Sequence, residues 1–433
     1  MPALILFIIL LAFLFKNLRR KIRIANAFVA KYLCSTFYIT HRPLDEVFRM
    51  DLNNSFLKHC EASYDPSERS VEVSMKGYLK RKAYFDDVHG GIMDRPAVKS
   101  KKSHVEVSKA SQSSFVLNEG INKSYSKLDV LLGQEFSKYW RNTRALLVLK
   151  GSEIVYEGYS SRFDQTSIFP GWSMTKSLFG FLYGMWHDQK VFHLDESDLF
   201  EEWKDDDRRG ITLRHLLQMR SGLDWDESYD KVSDVTRMLL DSESCSSFAM
   251  SRKLARIPGS KWVYSSGDSV LLSEFFRRRL GDEKYGSDIR LFLENMGWKS
   301  YFLEKDREGT YVASSYAWAT AREWAHLGLA LNNKGQLGNK RLVDQNWVDF
   351  MFSSYEAVPL GQYGAQVWLN GNGLKKLSFR PYKKLPSMGI CQGFNGQRIY
   401  CIPEMNLSIV RLGLSGVNHF DDQKFVGKIL TTL

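Results

Sequence analysis

Gly171-Trp172-Ser173-Met174-Thr175-Lys176-Ser177 places a serine and a lysine three positions apart at the mouth of an apolar run, Leu178-Phe179-Gly180-Phe181-Leu182-Tyr183-Gly184-Met185-Trp186. A serine hydroxyl is a poor nucleophile at neutral pH and needs a base to take its proton as it attacks. On a helix, positions i and i+3 share a face, so the Lys176 amine can reach the Ser173 oxygen. Partial burial disfavours an ammonium and makes a lysine a usable base. A helix apolar on most faces is a buried one, and Pro170-Gly171 breaks the chain just before it. The spacing therefore predicts a nucleophile–base pair at the positive end of a core helix.

Ser-x-x-Lys also occurs at Ser55/Lys58, Ser124/Lys127 and Ser228/Lys231, so context decides between the copies. The Ser173 copy has two short predicted strands upstream, Thr143–Lys150 and Glu153–Glu157 around a Lys150-Gly151-Ser152 turn, and the apolar helix directly after it. A second signal is Pro258-Gly259-Ser260-Lys261-Trp262-Val263-Tyr264-Ser265-Ser266-Gly267, read as turn, short aromatic strand and turn before a helical pattern over Val270–Leu280. Near an ammonium, the Tyr264 phenol would have its pKa lowered and could shuttle a proton.

Together these segments resemble the serine β-lactamase and penicillin-binding-protein superfamily, in its class C-like esterase and amidase branch. Ser173-Met174-Thr175-Lys176 matches the first motif of that family, and Tyr264-Ser265-Ser266 the second, with serine in place of the usual asparagine. Thr212–Leu223 looks like the segment between them. The resemblance runs from about Leu128 to the C-terminus and implies an acylated Ser173 with Lys176 and Tyr264 sharing the general-base work. In place of the third motif, Lys-Thr-Gly or His-Thr-Gly, the chain offers Ile390-Cys391-Gln392-Gly393-Phe394-Asn395-Gly396-Gln397-Arg398-Ile399-Tyr400. Asn395-Gly396 reads as a two-residue hairpin turn, and Gly393 as a point where a strand edge lets substrate backbone approach. The N–H groups of Ser173 and Phe394 are the expected oxyanion hole, with Gly393, Gln392 and Ser266 beside it. Cys391 stands where the cation of the family would be, which argues against penicillin-type substrates. The Gly-x-x-Gly-Gln-Arg-Ile-Tyr run, Ile409-Val410-Arg411-Leu412, Ser314-Ser315-Tyr316 and Ala321–Gly328 look closer to 6-aminohexanoate-oligomer hydrolases and related serine hydrolases, whose substrates are amides or esters.

Other chemistries lack their signatures. No Gly-x-Ser-x-Gly elbow, Walker A loop, Rossmann fingerprint, His-Glu-x-x-His or Cys-x-x-Cys is present. The expectation is a small-molecule ester or amide hydrolase with no metal and no cofactor. Two rivals share the motifs: a non-catalytic envelope binding protein, and a true β-lactamase or D-alanyl-D-alanine peptidase.

With 433 residues, 44% of them hydrophobic, the chain can bury a large core, and its 13% aromatic content suits a ring-lined cleft. The net charge of +11 is spread out. Its densest cluster, Lys16–Arg23, adjoins the apolar run Pro2–Phe15, so an anionic membrane surface explains it better than nucleic acid does. Fourteen helical residues span about 21 Å, short of a bilayer core of about 30 Å unless the flanks snorkel. Residues 1–35 are accordingly read as a membrane anchor and juxtamembrane segment. The positive-inside rule favours a cytoplasmic enzyme and the family resemblance an extracytoplasmic, periplasmic-side one; the latter is adopted. Five cysteines leave at least one thiol unpaired within the chain. With a two-residue turn, Cys391 would face Tyr400, and the Cys391 and Cys401 thiols would point to opposite sheet faces.

Residues 36–96 read as a small appendage with strands at Ser70–Lys76 and Leu79–Phe85, and 97–119 as a linker. Residues 120–433 read as the catalytic domain, opening with a helix over Leu128–Trp140. Its later strands are expected near 365–370, 387–394, 397–402 and 407–413, with a final helix from Asp421. Strands at both ends and helices between imply an α+β fold, an antiparallel sheet flanked by terminal helices plus a mostly helical lobe.

Overall fold

The computed structural model describes residues 2–52, 55–94, 117–119, 126–132, 142–370, 385–416 and 420–433, without the side chains of 2–10, 118, 119 and 126. Most of the expected linker and of the Leu128–Trp140 helix lies outside these residues; a helical turn is described at Ser126–Asp129. The chain forms two compact units. The larger contains Ser108–Asp224, Lys253–Phe302 and Val312–Leu433. The smaller joins Met1–Val107 to two excursions from the catalytic sequence, Trp225–Arg252 and Leu303–Tyr311.

In the larger unit, seven strands run in the order Trp368–Leu369, Gly389–Gly393, Gln397–Ile402, Leu407–Gly413, Thr143–Lys150, Glu153–Tyr159, Asn118–Glu119. All pairings are antiparallel except the last. Strands from 118–159 and from 368–413, the two ends of the larger unit, thus close one sheet, as the strand pattern predicted. Alternation along the strands sorts the side chains. Leu146, Val148, Ile390, Tyr400, Ile402 and Ile409 face Phe425, Val426 and Ile429 of the C-terminal helix Asp422–Leu430. Each buried aliphatic or aromatic side chain there contributes about 1.5–3 kcal/mol. On the opposite face the helix Ala321–Asn332 lies close: a Cβ at Gly328 would come within 2.8 Å of Ile399. Asn332 Nδ2 donates to Leu407 O (2.7 Å) and Ser408 Oγ (2.6 Å).

The apolar run after Ser173 forms a helix, Met174–Asp188, buried along nearly its whole length. Its glycines permit the packing, since a Cβ at Gly184 would meet the Trp347 indole at 2.4 Å.

One predicted turn is displaced. Asn395 and Gly396 do have the left-handed φ values, 58° and 84°, that an Asn-Gly turn requires. Phe394, however, leaves the ladder: Gly393 pairs with Gln397, and Cys391 with Ile399 rather than Tyr400. The Phe394 ring packs edge-on against Trp172, with centroids 5.6 Å apart, and Gly393 O accepts from Arg398 Nη1 (3.0 Å). This shift of one residue puts Cys391 and Cys401 on the same sheet face, correcting the expectation that they diverge. The two thiols are hydrogen-bonded, which with burial holds Cys401 well above the ordinary thiol range. All five cysteines are free and buried.

In the smaller unit the expected hairpin is the middle of a four-stranded sheet, Cys60–Asp65, Ser70–Met75, Tyr78–Asp86 and Gly90–Met93. The helix Pro2–Thr40 packs on it. The transmembrane reading of residues 1–35 is corrected here: among the described residues, no helix is long and apolar enough to cross a membrane. The second half of this helix is a core element instead. Ala27, Val29, Ala30, Leu33 and Cys34 are fully buried, and Asn26 Nδ2 donates to Tyr78 O (3.0 Å) and Leu79 O (2.8 Å).

The Lys31 ammonium ion-pairs with the fully buried Glu304 carboxylate, which also accepts from Ser35 Oγ (3.0 Å) and Gly91 N (2.8 Å). Removing one partner strands the other charge in the core. Glu304→Ala is expected to destabilise this unit by about 3–5 kcal/mol, measured as a fall in urea midpoint. A change below about 1 kcal/mol would show that the pair is immaterial.

Candidate active site

The chain reaches Ser173 through a strained turn. Gly171 N donates to Ala317 O (2.8 Å), and Trp172 follows with φ 47°, a left-handed conformation that costs a non-glycine residue of order 1–3 kcal/mol. Ser173 is the N-cap of the Met174–Asp188 helix, yet its side chain caps no backbone N–H. Its half-exposed hydroxyl meets Lys176 Nζ at 3.1 Å instead.

Lys176 is 1% exposed. Besides Ser173, its ammonium donates to Ser266 Oγ (3.0 Å) and to the backbone carbonyl of Ser314 (3.0 Å). Nζ also lies 5.0 Å from the centroid of the Tyr264 ring. The Ser173 hydroxyl, the Lys176 amine and the Tyr264 ring thus come from distant segments to one place.

No strand forms at Trp262–Ser265, contrary to the sequence pattern; the segment is extended and held by the 212–223 stretch. Val263 N donates to Met219 O (2.9 Å) and Ser265 N to Met219 Sδ (3.4 Å). Ser265 Oγ caps the Ser266–Leu280 helix by accepting from Asp268 N (3.0 Å), and Asp268 Oδ1 accepts from Ser221 Oγ (2.8 Å). The second motif is therefore a helix cap, with Tyr264 immediately before it. Ser266, expected beside the substrate, is fully buried behind Lys176.

Gly393 lies against the Gly171–Ser173 turn: a Cβ there would sit 2.2 Å from Gly171 O. Only glycine lets the strand end approach so closely. The flanking strand Trp368–Leu369 pairs with Gly389 and Ile390 and stops short of Gly393. Gln392 is half-buried on the face opposite to Cys391, and Cys391, fully buried, places no cation where the resemblance would have one.

Two buried guanidiniums hold the loop after Gly393. Arg398 binds Gly393 O and pairs with Asp422 Oδ1 (2.6 Å). Arg411 donates to Asn395 O (3.2 Å), Gly396 O (2.8 Å) and Thr143 Oγ1 (3.1 Å). Burial, and then the neighbouring Arg398 charge, bring the Arg411 pKa down to about 9, so it remains charged at neutral pH. Both arginines stood in noted sequence runs without a role. The Ser314 carbonyl left no trace, because any residue could supply it. Rings line the remaining sides: Tyr264 lies 5.1 Å from Trp368 and 5.9 Å from Tyr363, and Trp262 5.7 Å from Trp368.

The family profile described as Beta-lactamase matches residues 128–421. A 6-aminohexanoate-dimer hydrolase of Paenarthrobacter ureafaciens is 25% identical over 299 residues, 62% of this chain and 72% of that one. Among solved structures, a penicillin-binding-protein homologue from Caulobacter crescentus superposes with TM-score 0.57 at 15% identity, over 72% of this chain and 99% of its own. A penicillin-binding protein from Bacillus halodurans gives 0.51 at 14% identity, over 67% and 95%. These two likenesses show the fold: the expected α+β architecture with its antiparallel sheet and helices.

The tight contact at Gly393 makes a direct forecast. Gly393→Ala should push the strand end from the Gly171–Ser173 turn and lower esterase kcat/KM by about 100-fold or more, with a fall in melting temperature of only a few degrees. Unchanged turnover would mean that this approach has no bearing on the site.

Proposed function

The chain belongs to the beta-lactamase family, and within it we propose a serine hydrolase that cleaves carboxylic esters or amides through an acyl-enzyme on Ser173. One observation carries this reading: the hydroxyl of the half-buried Ser173 lies 3.1 Å from the nitrogen of Lys176, a lysine that is 1% exposed. The same nitrogen donates to Ser266 Oγ and the Ser314 carbonyl, and it meets Ser173 Oγ within hydrogen-bond distance. In the neutral amine, a lone pair directed at Ser173 takes the serine proton.

Ser173 Oγ attacks the substrate carbonyl carbon and its proton passes to Lys176. The oxyanion is held by the N–H groups of Ser173 and Phe394. The tetrahedral species then collapses, and the leaving oxygen or nitrogen receives the proton through the Tyr264 hydroxyl. A water, deprotonated by the same pair, attacks the ester, and Ser173 regains its proton as the acid leaves. The absence of a cation at Cys391 and the ring-lined surroundings favour apolar esters and amides over penicillin-type substrates.

A fluorophosphonate probe should label the folded wild type and leave Ser173→Ala unlabelled. Equal labelling of both would move the nucleophile elsewhere, and no labelling of either would favour the binding-protein reading. Lys176→Ala and Tyr264→Phe should each lower kcat by about 10²–10⁴-fold, followed with a short-chain p-nitrophenyl ester. Near-normal rates in either would remove that residue from the mechanism.

A further inference from the structure

The helix Leu213–Leu217 and the loop after it support the second motif, and Arg220 in that loop holds its guanidinium over an aromatic ring. Its guanidinium carbon stands 4.6 Å from the centroid of the Tyr355 ring, and its Nε is buried without a hydrogen-bond partner among the described residues. The carboxylate that influences it, Asp195, is engaged by Arg214 through bonds of 2.6 and 2.8 Å. A half-buried guanidinium on an aromatic ring, with a donor unused, is poised for an anion. Burial also lowers its pKa, the sign of a cation held short of full solvation.

Its location ties it to the catalytic group. Gly259 N donates to Arg220 O (2.8 Å), anchoring Arg220 to the segment that leads to Tyr264. Tyr355 packs against the same buried cluster, Met219, Val358 and Tyr363, as Trp262, Tyr264 and Trp368 do, and all four of these rings are only partly buried. One cluster thus carries both Tyr264, beside Lys176, and the ring beneath Arg220. Partly buried rings with a cation at one of them suit a substrate with a matching order of groups.

We propose that Arg220 is an anion-recognising specificity residue of this site, selecting substrates in which an apolar chain joins the scissile carbonyl to a carboxylate. The assignment rests on the acyl-enzyme reading above. The Arg220 fork takes up the role that Cys391 leaves open, but from the other end of an aromatic floor.

The test compares p-nitrophenyl hexanoate with the p-nitrophenyl monoester of adipic acid, which differs in its terminal carboxylate. The quantity read is the ratio of kcat/KM, anionic over neutral, within each protein, so that any unfolded fraction cancels. Arg220→Ala should lower that ratio by about tenfold or more, and Arg220→Lys by less. Hexanoate, as an inhibitor of neutral-ester hydrolysis, should weaken in Arg220→Ala to a similar extent. If the neutral ester is turned over but the ratio stays within about twofold of wild type in Arg220→Ala, this assignment is wrong and the hydrolase reading survives. If the wild type turns over neither ester and takes no fluorophosphonate label, the hydrolase reading fails and this one with it.

Discussion

A buried amine is the constraint around which the site is arranged. Lys176 Nζ, at 1% exposure, is hydrogen-bonded to oxygens of Ser173, Ser266 and Ser314, and a buried nitrogen of this kind is costly without such partners. Those oxygens come from a helix start, a second helix start and a loop before a strand. Satisfying one amine therefore fixes three segments far apart in sequence. The same demand explains why Ser173 does not cap its own helix: its oxygen is engaged by the lysine one turn away. The first turn closes through Met174 N to Gly171 O (3.1 Å) and Thr175 N to Trp172 O (2.9 Å), so the hydroxyl is not needed there.

What the sequence made legible was local and periodic. The Ser173/Lys176 spacing, the greasy helix behind it and the strands at Thr143–Lys150 and Leu407–Gly413 all follow from patterns within ten or fifteen residues. The misreadings arose where distant partners decide. Phe394 left its strand because Trp172 and Arg398 offered better contacts than the ladder did. Residues 1–35 carry a run of apolar side chains, and that composition reads as an anchor. Periodicity over Ala25–Ile39, with Asn26 and Lys31 finding buried partners, belongs to a helix covering a sheet. The excursions Trp225–Arg252 and Leu303–Tyr311 join the N-terminal unit from within the catalytic sequence, and no local pattern announces such a detour.

The loop carrying Phe394 shows how a strained site is kept in place. Asn395 and Gly396 both sit at positive φ, and Gly393 is pressed against the Gly171–Ser173 turn, so the loop has little freedom to relax. Backbone carbonyls turned inward there would be costly without donors, and Arg398 and Arg411 provide them from the neighbouring strands. A guanidinium suits this better than an ammonium because its planar fork serves several carbonyls at once. Arg411 is fully buried, and Ser415 N reinforces it by donating to Asn395 O at 2.9 Å. An oxyanion hole works only if its donors already point at the position where charge will develop, since reorienting them during the reaction would cancel the gain. On the proposed mechanism, charge buried behind the loop would support the oxyanion hole in front of it, and the two arginines belong to the strands that form the sheet itself. Fold and proposed chemistry meet in that arrangement: the strand order that buries Ile399 and Val410 also delivers Arg398 and Arg411 to the loop beside Ser173.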